Sequence, residues 1–142
     1  MRIDLTSLTN AIGNIEVALQ YHDRAKTGPD PVLVQLHRAA AIQAFEYTYE
    51  LCPKLLRRYF AENSDSTQAA EELNFDGLMR RGYEFGLLDA DVVIWRGFRA
   101  ARGTTSHAYD SDKAEDVFQD IPEFLVQAKF LLKQLEARQQ PL

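Results

Sequence analysis

Arg102, His107 and Tyr109 fall within the eight-residue stretch RGTTSHAY and combine three kinds of chemistry. An arginine keeps its charge and presents a planar fork that matches phosphate oxygens, whereas an imidazole acts as an acid or a base near neutral pH. Together they suit phosphodiester cleavage without a metal ion, the arginine stabilising charge at phosphorus and the histidine moving a proton at the attacking 2′-OH or the leaving 5′-oxygen. Tyr109 would hydrogen-bond a phosphate or stack on a base.

The same stretch also fits a plain helix end that carries a surface histidine, and spacing alone favours that alternative. On an uninterrupted helix, five residues amount to about 500° of rotation, so Arg102 and His107 would point about 140° apart. The intervening residues Gly103–Ser106 are weak helix formers. We therefore expect a turn here that brings both side chains back to one cleft.

A basic island precedes this stretch and ends in it. No acidic residue occurs between Asp91 and Asp110, while Arg96, Arg99 and Arg102 recur every three positions. Successive steps of about 300° confine the three arginines to roughly a third of the helix circumference, so we predict that Arg96 and Arg99 bind substrate. The net charge of -5 argues against attraction of nucleic acid by the whole surface, and any polyanion site must be local.

The remaining candidate groups do not indicate metal or thiol chemistry. The three histidines have no metal-ligand spacing, His22 and His37 fit surface or boundary positions, and we expect no metal ion and no cofactor. Cys52 lies among apolar and aromatic residues, which indicates a buried, reduced thiol and a reducing compartment. Residues 1–20 contain no unbroken apolar run, so we expect neither a signal peptide nor a membrane span, and a cytoplasmic protein.

Helical periodicity is the only strong structural pattern, and a chain of 142 residues fits a single domain over residues 1–142. The pattern predicts an all-α fold, an up-and-down antiparallel four-helix bundle with an additional short helix. The expected second and third helices lie at about 31–60 and 74–85, with a short helical piece at 67–73. The first helix is capped by Thr6, Ser7 or Thr9 and ended by Gly28-Pro29, the fourth starts at Asp89 and breaks after Arg102, and the last is capped by Asp110–Asp112. Asp30 and Pro31 fit the N-cap and first position of the second helix, and Gly86 fits the residue that follows the third helix.

Two prolines fall inside predicted helices. Pro53 should kink the second helix near Tyr49–Pro53, and Pro122 should bend or restart the last one. The buried candidates on the second helix include Leu36, Ala40, Phe45, Tyr49, Leu55 and Leu56. The last helix should bury Ala114, Val117, Phe118, Ile121, Leu125, Phe130, Leu131 and Leu135.

Three blocks of the chain together resemble one known family. IQAFEYTYELCPKLLRRYF (42–60), GLMRRGYEFGLLDADVVIWRGFRAARGTTSHAYD (77–110) and VFQDIPEFLVQAKFLLKQLEARQ (117–139) are similar, in this order, to the nucleotidyltransferase substrate-binding family of the HEPN superfamily. The resemblance covers nearly the full length. It implies a HEPN-like helical domain that overlaps the toxins partnered by minimal nucleotidyltransferase antitoxins.

The resemblance also implies roles for the opening residues. In that family a homodimer brings two R-x4-H-x-Y motifs into a cleft at the interface, and here the motif is Arg102, His107 and Tyr109. Members with ribonuclease activity use the arginine and histidine as catalytic residues, and a partner nucleotidyltransferase attaches AMP to the tyrosine. The residue after the arginine is commonly polar and here is Gly103, and Pro53 stands where a tryptophan is usual.

The first function hypothesis is therefore a metal-independent endoribonuclease toxin that acts on RNA and is controlled by a minimal nucleotidyltransferase. The alternative is a non-catalytic subunit that presents a substrate, or its own tyrosine, to a two-component nucleotidyltransferase. A helical interaction module without nucleotide chemistry is a third option, because a bundle fold does not determine a function.

Overall fold

The computed structural model describes residues 3–63, 72–107 and 110–139, and over these ranges the chain is helical, with no strand. The elements are α1 (Thr6–Lys26), α2 (Pro31–Glu62), α3 (Phe75–Glu84), α4 (Val92–Thr104), the 3-10 helix η1 (Thr105–His107) and α5 (Ser111–Gln139). The prediction of an all-α, up-and-down helical bundle is confirmed. The short helical piece predicted at 67–73 lies largely outside the described residues.

Local capping residues set the start of the two longest helices. The Asp30 side chain accepts a hydrogen bond from the N–H of Val32 at 2.9 Å, with Pro31 in the first turn of α2, as predicted. The side chain of Asp110 accepts bonds from two backbone N–H groups in the first turn of α5, at 3.0 and 3.3 Å. Both helix starts therefore follow from short sequence signals.

The connection between α3 and α4 differs in one detail from the prediction. Gly86 has a positive φ of 76°, which confirms it as the residue that ends α3. Leu87 and Leu88 are then buried in the core, and α4 begins after Asp91 rather than at Asp89. The Asp91 carboxylate caps α4 by accepting from two backbone N–H groups at 3.0 and 3.4 Å.

Both proline-containing helices are continuous. α2 runs through Pro53 and α5 runs through Pro122, so the restart considered for the last helix does not occur. A proline removes one backbone hydrogen bond, but buried side chains on either side of it hold both halves against the core. The kink near Tyr49–Pro53 stays a prediction.

An aromatic cluster centred on Phe124 joins α2, α4 and α5. The Phe124 ring meets Phe45 edge-on with 4.9 Å between centroids, Phe98 at 5.2 Å and Trp95 at 6.2 Å. Tyr49 completes the cluster at 6.3 Å. Edge-to-face pairs at these separations add a favourable electrostatic term to the burial of apolar surface, so this cluster fixes how the three helices lie against one another.

The cluster's central residue was not among the buried positions predicted for the last helix. In the structure the buried apolar stripe of α5 is Ala114, Val117, Ile121, Phe124, Ala128, Leu131 and Leu135. Its steps alternate between three and four residues, which places them on one face of a helix. Phe118, Leu125 and Phe130 lie beside this stripe and are only partly buried.

Some apolar residues predicted to be buried are exposed. Leu36 and Ala40 are exposed, although Phe45 on the same helix is fully buried. Nine residues correspond to about 900° of helix, so Leu36 lies on the side of α2 opposite Phe45, and Ala40 lies about 140° from it. On α4, Val93 and Ile94 are exposed, because Trp95 and Phe98 define the buried face of this helix.

His22 lies deeper than its expected surface or boundary position. Its side chain is 7% exposed and packs against the ring of Phe118, with 4.4 Å between centroids. Burial lowers the pKa of His22 below its ordinary value, and the charge of Lys26 acts in the same direction. The negative charges of Asp23 and Glu115 act to raise the pKa, but the net effect remains a lowering.

Replacing Phe124 by alanine should lower the free energy of unfolding by about 3–5 kcal/mol, because the substitution opens a cavity among four other rings. Urea unfolding followed by circular dichroism measures the change. The matched control is Val126→Ala on the same helix, where the side chain is 56% exposed and the expected change is within about 0.5 kcal/mol. Equal effects of the two substitutions would contradict the central position of Phe124.

The buried His22 should make stability depend on pH. Below about pH 6.5 the unfolded chain takes up a proton at this imidazole before the folded chain does, so the free energy of unfolding falls as the pH drops. Urea unfolding at about pH 7.5 and about pH 5.5 measures the difference. His22→Gln should show a smaller difference than the unmodified protein, and an unchanged difference would show that the imidazole is not the cause.

Candidate functional site

The guanidinium group of Arg102 is held jointly by α2 and η1. Its Nε and Nη2 donate to Glu50 Oε1 at 3.2 and 2.5 Å, and Nη2 lies 3.4 Å from Glu46 Oε2. Its Nη1 donates to Thr105 Oγ1 at 3.0 Å. Because every guanidinium nitrogen has a partner, the arginine is oriented before any ligand binds. We call Arg102, Glu46, Glu50 and Thr105 the arginine clamp.

The core packing explains why these four groups meet. Glu46 and Glu50 each follow a buried aromatic residue of α2 by one position, which turns their carboxylates about 100° away from the core. Arg102 lies one helical turn beyond the buried Phe98, so its side chain leaves the core at the same edge as those of Glu46 and Glu50. The hydrogen bond with Glu50 is the main cause that raises the pKa of Arg102 above its ordinary value.

The helix break predicted after Arg102 occurs two residues later than expected. α4 continues through Gly103 to Thr104, and the 3-10 turn covers Thr105–His107. Thr105 is buried, and its hydroxyl donates back to the carbonyl of Arg102 at 2.8 Å. His107 is exposed at the end of this turn. At about 100° per α-helical residue and about 120° per 3-10 residue, rotation alone does not place Arg102 and His107 on one face.

The other predicted site residues are placed differently. The Arg96 guanidinium forms a two-bond ion pair with Asp76 of α3, at 3.0 and 2.6 Å, and this pairing lowers the pKa of Asp76. The guanidinium carbon of Arg99 lies 4.8 Å from the centroid of the Phe75 ring. Both arginines therefore contact α3, whereas Arg102 contacts α2. Tyr109 lies outside the described residues.

A pocket of about 400 Å³ adjoins the arginine clamp. Glu46 and Thr105 belong to the clamp and also line the pocket, and Arg38 of α2 and Ser111 of α5 lie on the same lining. Sequence reasoning did not single out Arg38. The signal available was its position on α2, eight residues before Glu46, since a spacing of eight residues leaves the two side chains about 80° apart, within the width of one helix stripe.

Other chemistry-bearing groups lie apart from this rim or are inaccessible. Cys52 is fully buried, and burial raises the pKa of its thiol to about 12, which fits the expected inert thiol. Within residues 3–63, 72–107 and 110–139, no group of three or more His, Cys, Asp or Glu side chains is arranged to hold a metal ion. None of the helices in these ranges combines the length and apolar character that a membrane crossing needs.

Comparison with known proteins gives consistent matches over nearly the whole chain. Residues 3–137 match the family described as nucleotidyltransferase substrate binding protein like. A Haemophilus influenzae protein named probable ribonuclease HepT is 35% identical over 141 residues, which is 98% of this chain and 96% of that protein.

Two solved structures share the fold. A Haemophilus influenzae structure, described as revealing the fold of a substrate binding domain of a nucleotidyltransferase, superposes with a TM-score of 0.85 and 33% identity, covering 94% of this chain and 99% of that one. A Thermus thermophilus protein superposes with a TM-score of 0.62 and 27% identity, covering 88% of this chain and 98% of that one.

Arg102→Ala should leave the fold intact and lower the free energy of unfolding by about 1 kcal/mol or less, because its ion pairs are partly exposed. Double-mutant cycles with Glu50→Ala and Glu46→Ala, measured by urea unfolding, give the coupling energies. Coupling should be larger with Glu50, which accepts two hydrogen bonds, than with Glu46 at 3.4 Å. The reverse order would contradict the clamp geometry.

Proposed function

The chain belongs to the nucleotidyltransferase substrate-binding family, and on that premise we propose that it is a metal-independent endoribonuclease toxin controlled by a partner minimal nucleotidyltransferase. The observation that carries this proposal is the arginine clamp, which holds a guanidinium with a 31% exposed side chain at the edge of a pocket. The name of the Haemophilus relative, probable ribonuclease HepT, supports the same reaction class.

In the proposed reaction, Arg102 and His107 have different roles. The 2′-oxygen of one nucleotide attacks its own phosphorus, and the bond from phosphorus to the 5′-oxygen of the next nucleotide breaks. His107 moves a proton at the attacking or the departing oxygen, so that a 2′,3′-cyclic phosphate and a free 5′-hydroxyl result. Arg102 stabilises the charge that develops on the phosphorus oxygens. Arg96 and Arg99 would bind RNA further along the strand.

A homodimer fits this assignment. Rotation along α4 and η1 does not by itself bring Arg102 and His107 to one face, and a second copy would contribute its own motif across a shared cleft. The two-fold arrangement would make each cleft from identical motifs, as closed symmetric dimers require. The chain acts in this proposal as one domain over residues 1–142, in the cytoplasm.

Control by the partner would work through Tyr109. A nucleotidyltransferase would transfer AMP from ATP to the phenol oxygen, releasing pyrophosphate, and the added phosphate and nucleoside would occupy the cleft beside His107. The Haemophilus structure, described as revealing the fold of a substrate binding domain of a nucleotidyltransferase, supports a partner of this class.

A second candidate function is a non-catalytic subunit that presents its substrate or its tyrosine to the nucleotidyltransferase. Two observations favour it. By the family resemblance, Gly103 stands where a polar residue is common, and the guanidinium of Arg102 is already engaged by Glu46 and Glu50. In this alternative the arginine clamp only stabilises the fold, and the R-x4-H-x-Y motif serves only to dock the nucleotidyltransferase.

Incubation of the purified protein, free of its partner, with single-stranded RNA and EDTA separates the two functions. We expect cleavage that yields 2′,3′-cyclic phosphate ends, and a loss of about 100-fold or more in His107→Ala and in Arg102→Ala. His37→Ala on α2 is the matched control and should cleave normally. If the unmodified protein and His107→Ala leave RNA equally intact, the ribonuclease proposal is wrong.

Two further measurements distinguish the ribonuclease from the non-catalytic subunit. A β-carbon added at Gly103 would meet no atom within 4 Å, so Gly103→Asn should fold normally and increase cleavage if a polar side chain helps to orient the phosphate. Incubation with the partner and ATP should add the mass of AMP at Tyr109. AMP attachment without any cleavage by the unmodified protein would favour the non-catalytic subunit.

A further inference from the structure

We propose that the pocket beside the arginine clamp binds a second phosphate of the RNA strand, next to the one that is cut, and that Arg38 holds it. This inference rests on the proposed ribonuclease function and assigns a role to a residue outside the R-x4-H-x-Y motif. The pocket has a volume of about 400 Å³, within the range of about 300–1,000 Å³ that is typical of small-molecule sites.

The pocket and the arginine clamp share a wall, which makes them one continuous binding surface. Glu46 and Thr105 contact the Arg102 guanidinium, at 3.4 and 3.0 Å, and both also line the pocket. Arg38 lies two helical turns before Glu46 on α2, a distance of about 12 Å along the helix. A strand whose phosphate contacts Arg102 therefore reaches the pocket without leaving the surface.

Arg38 has the properties of a prepared anion ligand. Its side chain is 17% exposed, and its Nη1 donates to Glu115 Oε2 at 3.1 Å. Its Nη2 lies 3.5 Å from the Ser111 hydroxyl, which is a second hydrogen-bonding group on the same lining. An arginine that is held in place by its stem and one carboxylate loses little side-chain freedom when a phosphate arrives.

Glu115 can release Arg38 at low cost. Its other oxygen, Oε1, accepts a hydrogen bond from Gln119 at 2.7 Å, and its side chain is 48% exposed. The hydrogen bonds from Gln119 and from Arg38 are the main causes that lower the pKa of Glu115. Its carboxylate therefore stays charged and competes with an incoming phosphate for Arg38. When Arg38 turns to a phosphate, Glu115 keeps both a protein partner and contact with water.

The rest of the lining suits a nucleotide. Gln35 and Gln43 supply amide groups, while Ala39, Ile42 and Ala114 supply apolar surface for a ribose or a base. The beginning of α5 is not itself the anion site, because Asp110 already accepts hydrogen bonds from its first-turn N–H groups. The binding group is therefore the arginine side chain.

The test measures RNA binding in a His107→Ala background, so that no strand is cut during titration. Fluorescence anisotropy with a labelled, mixed-sequence single-stranded RNA gives Kd at several salt concentrations. Arg38→Gln should weaken binding about tenfold and reduce the salt slope by about one phosphate contact. Glu115→Gln should tighten binding several-fold, because it removes the competing carboxylate while keeping a hydrogen-bonding group.

The opposite signs of these two effects separate a binding role from a structural one. If the ion pair merely holds α2 against α5, both substitutions weaken binding or neither changes it, and the proposal is wrong. Arg58→Gln is the matched control, since Arg58 is exposed on the same helix about 30 Å from Arg38. An equal loss of affinity in this control would show a general charge effect and overturn the pocket assignment.

The failure of the proposed function is distinguishable from the failure of this inference. If the His107→Ala protein binds no RNA and the unmodified protein cuts none, both are wrong. If the unmodified protein cuts RNA while Arg38→Gln retains its Kd and KM, only the pocket assignment is wrong. Thermal unfolding checks that each variant is folded. If Arg38→Gln does not fold, Glu115→Gln tests the pocket assignment independently.

Discussion

The packing of the Phe124 ring against Phe45, Trp95 and Phe98 is the contact on which the rest of the structure depends. A phenylalanine ring that meets several others edge-on fits in few orientations, so it determines both the separation and the rotation of the helices that carry it. Here those helices are α2, α4 and α5. Their relative rotation decides which polar residues come together where the core ends.

The arginine clamp is the direct consequence of that rotation. Phe98 belongs to the core, and Arg102 follows it by one turn of α4. On α2, the aromatic residues Phe45 and Tyr49 point inward, so the carboxylates of Glu46 and Glu50 reach the rim beside Arg102. A side chain that remains 31% exposed can exchange these carboxylates for another anion, because the ion pairs cost little to break in water.

The distribution of charge follows the same logic. The chain carries a net charge of -5, and three of its arginines are held by nearby carboxylates, Arg38 by Glu115, Arg96 by Asp76 and Arg102 by Glu46 and Glu50. Such pairing keeps cationic side chains ordered without giving the whole surface an attraction for polyanions. Selectivity for a phosphate must then come from geometry, since a planar guanidinium binds two oxygens of one phosphate in a fixed orientation.

Local sequence signals determined most of the helical framework, and only the tertiary structure decided the contacts between helices. Asp30 with Pro31, Gly86 and Asp110 each act within one turn of the chain, so reading the sequence identifies the helix boundaries that they mark. Phe124 and Leu125, in contrast, are adjacent on one amphipathic helix, and only the position of α5 between α2 and α4 makes Phe124 the buried one. The contacts of α2 with α4, η1 and α5 that build the clamp and the pocket join residues far apart in sequence. Such pairings depend on the packing angle and rotation of whole helices, which no local pattern encodes.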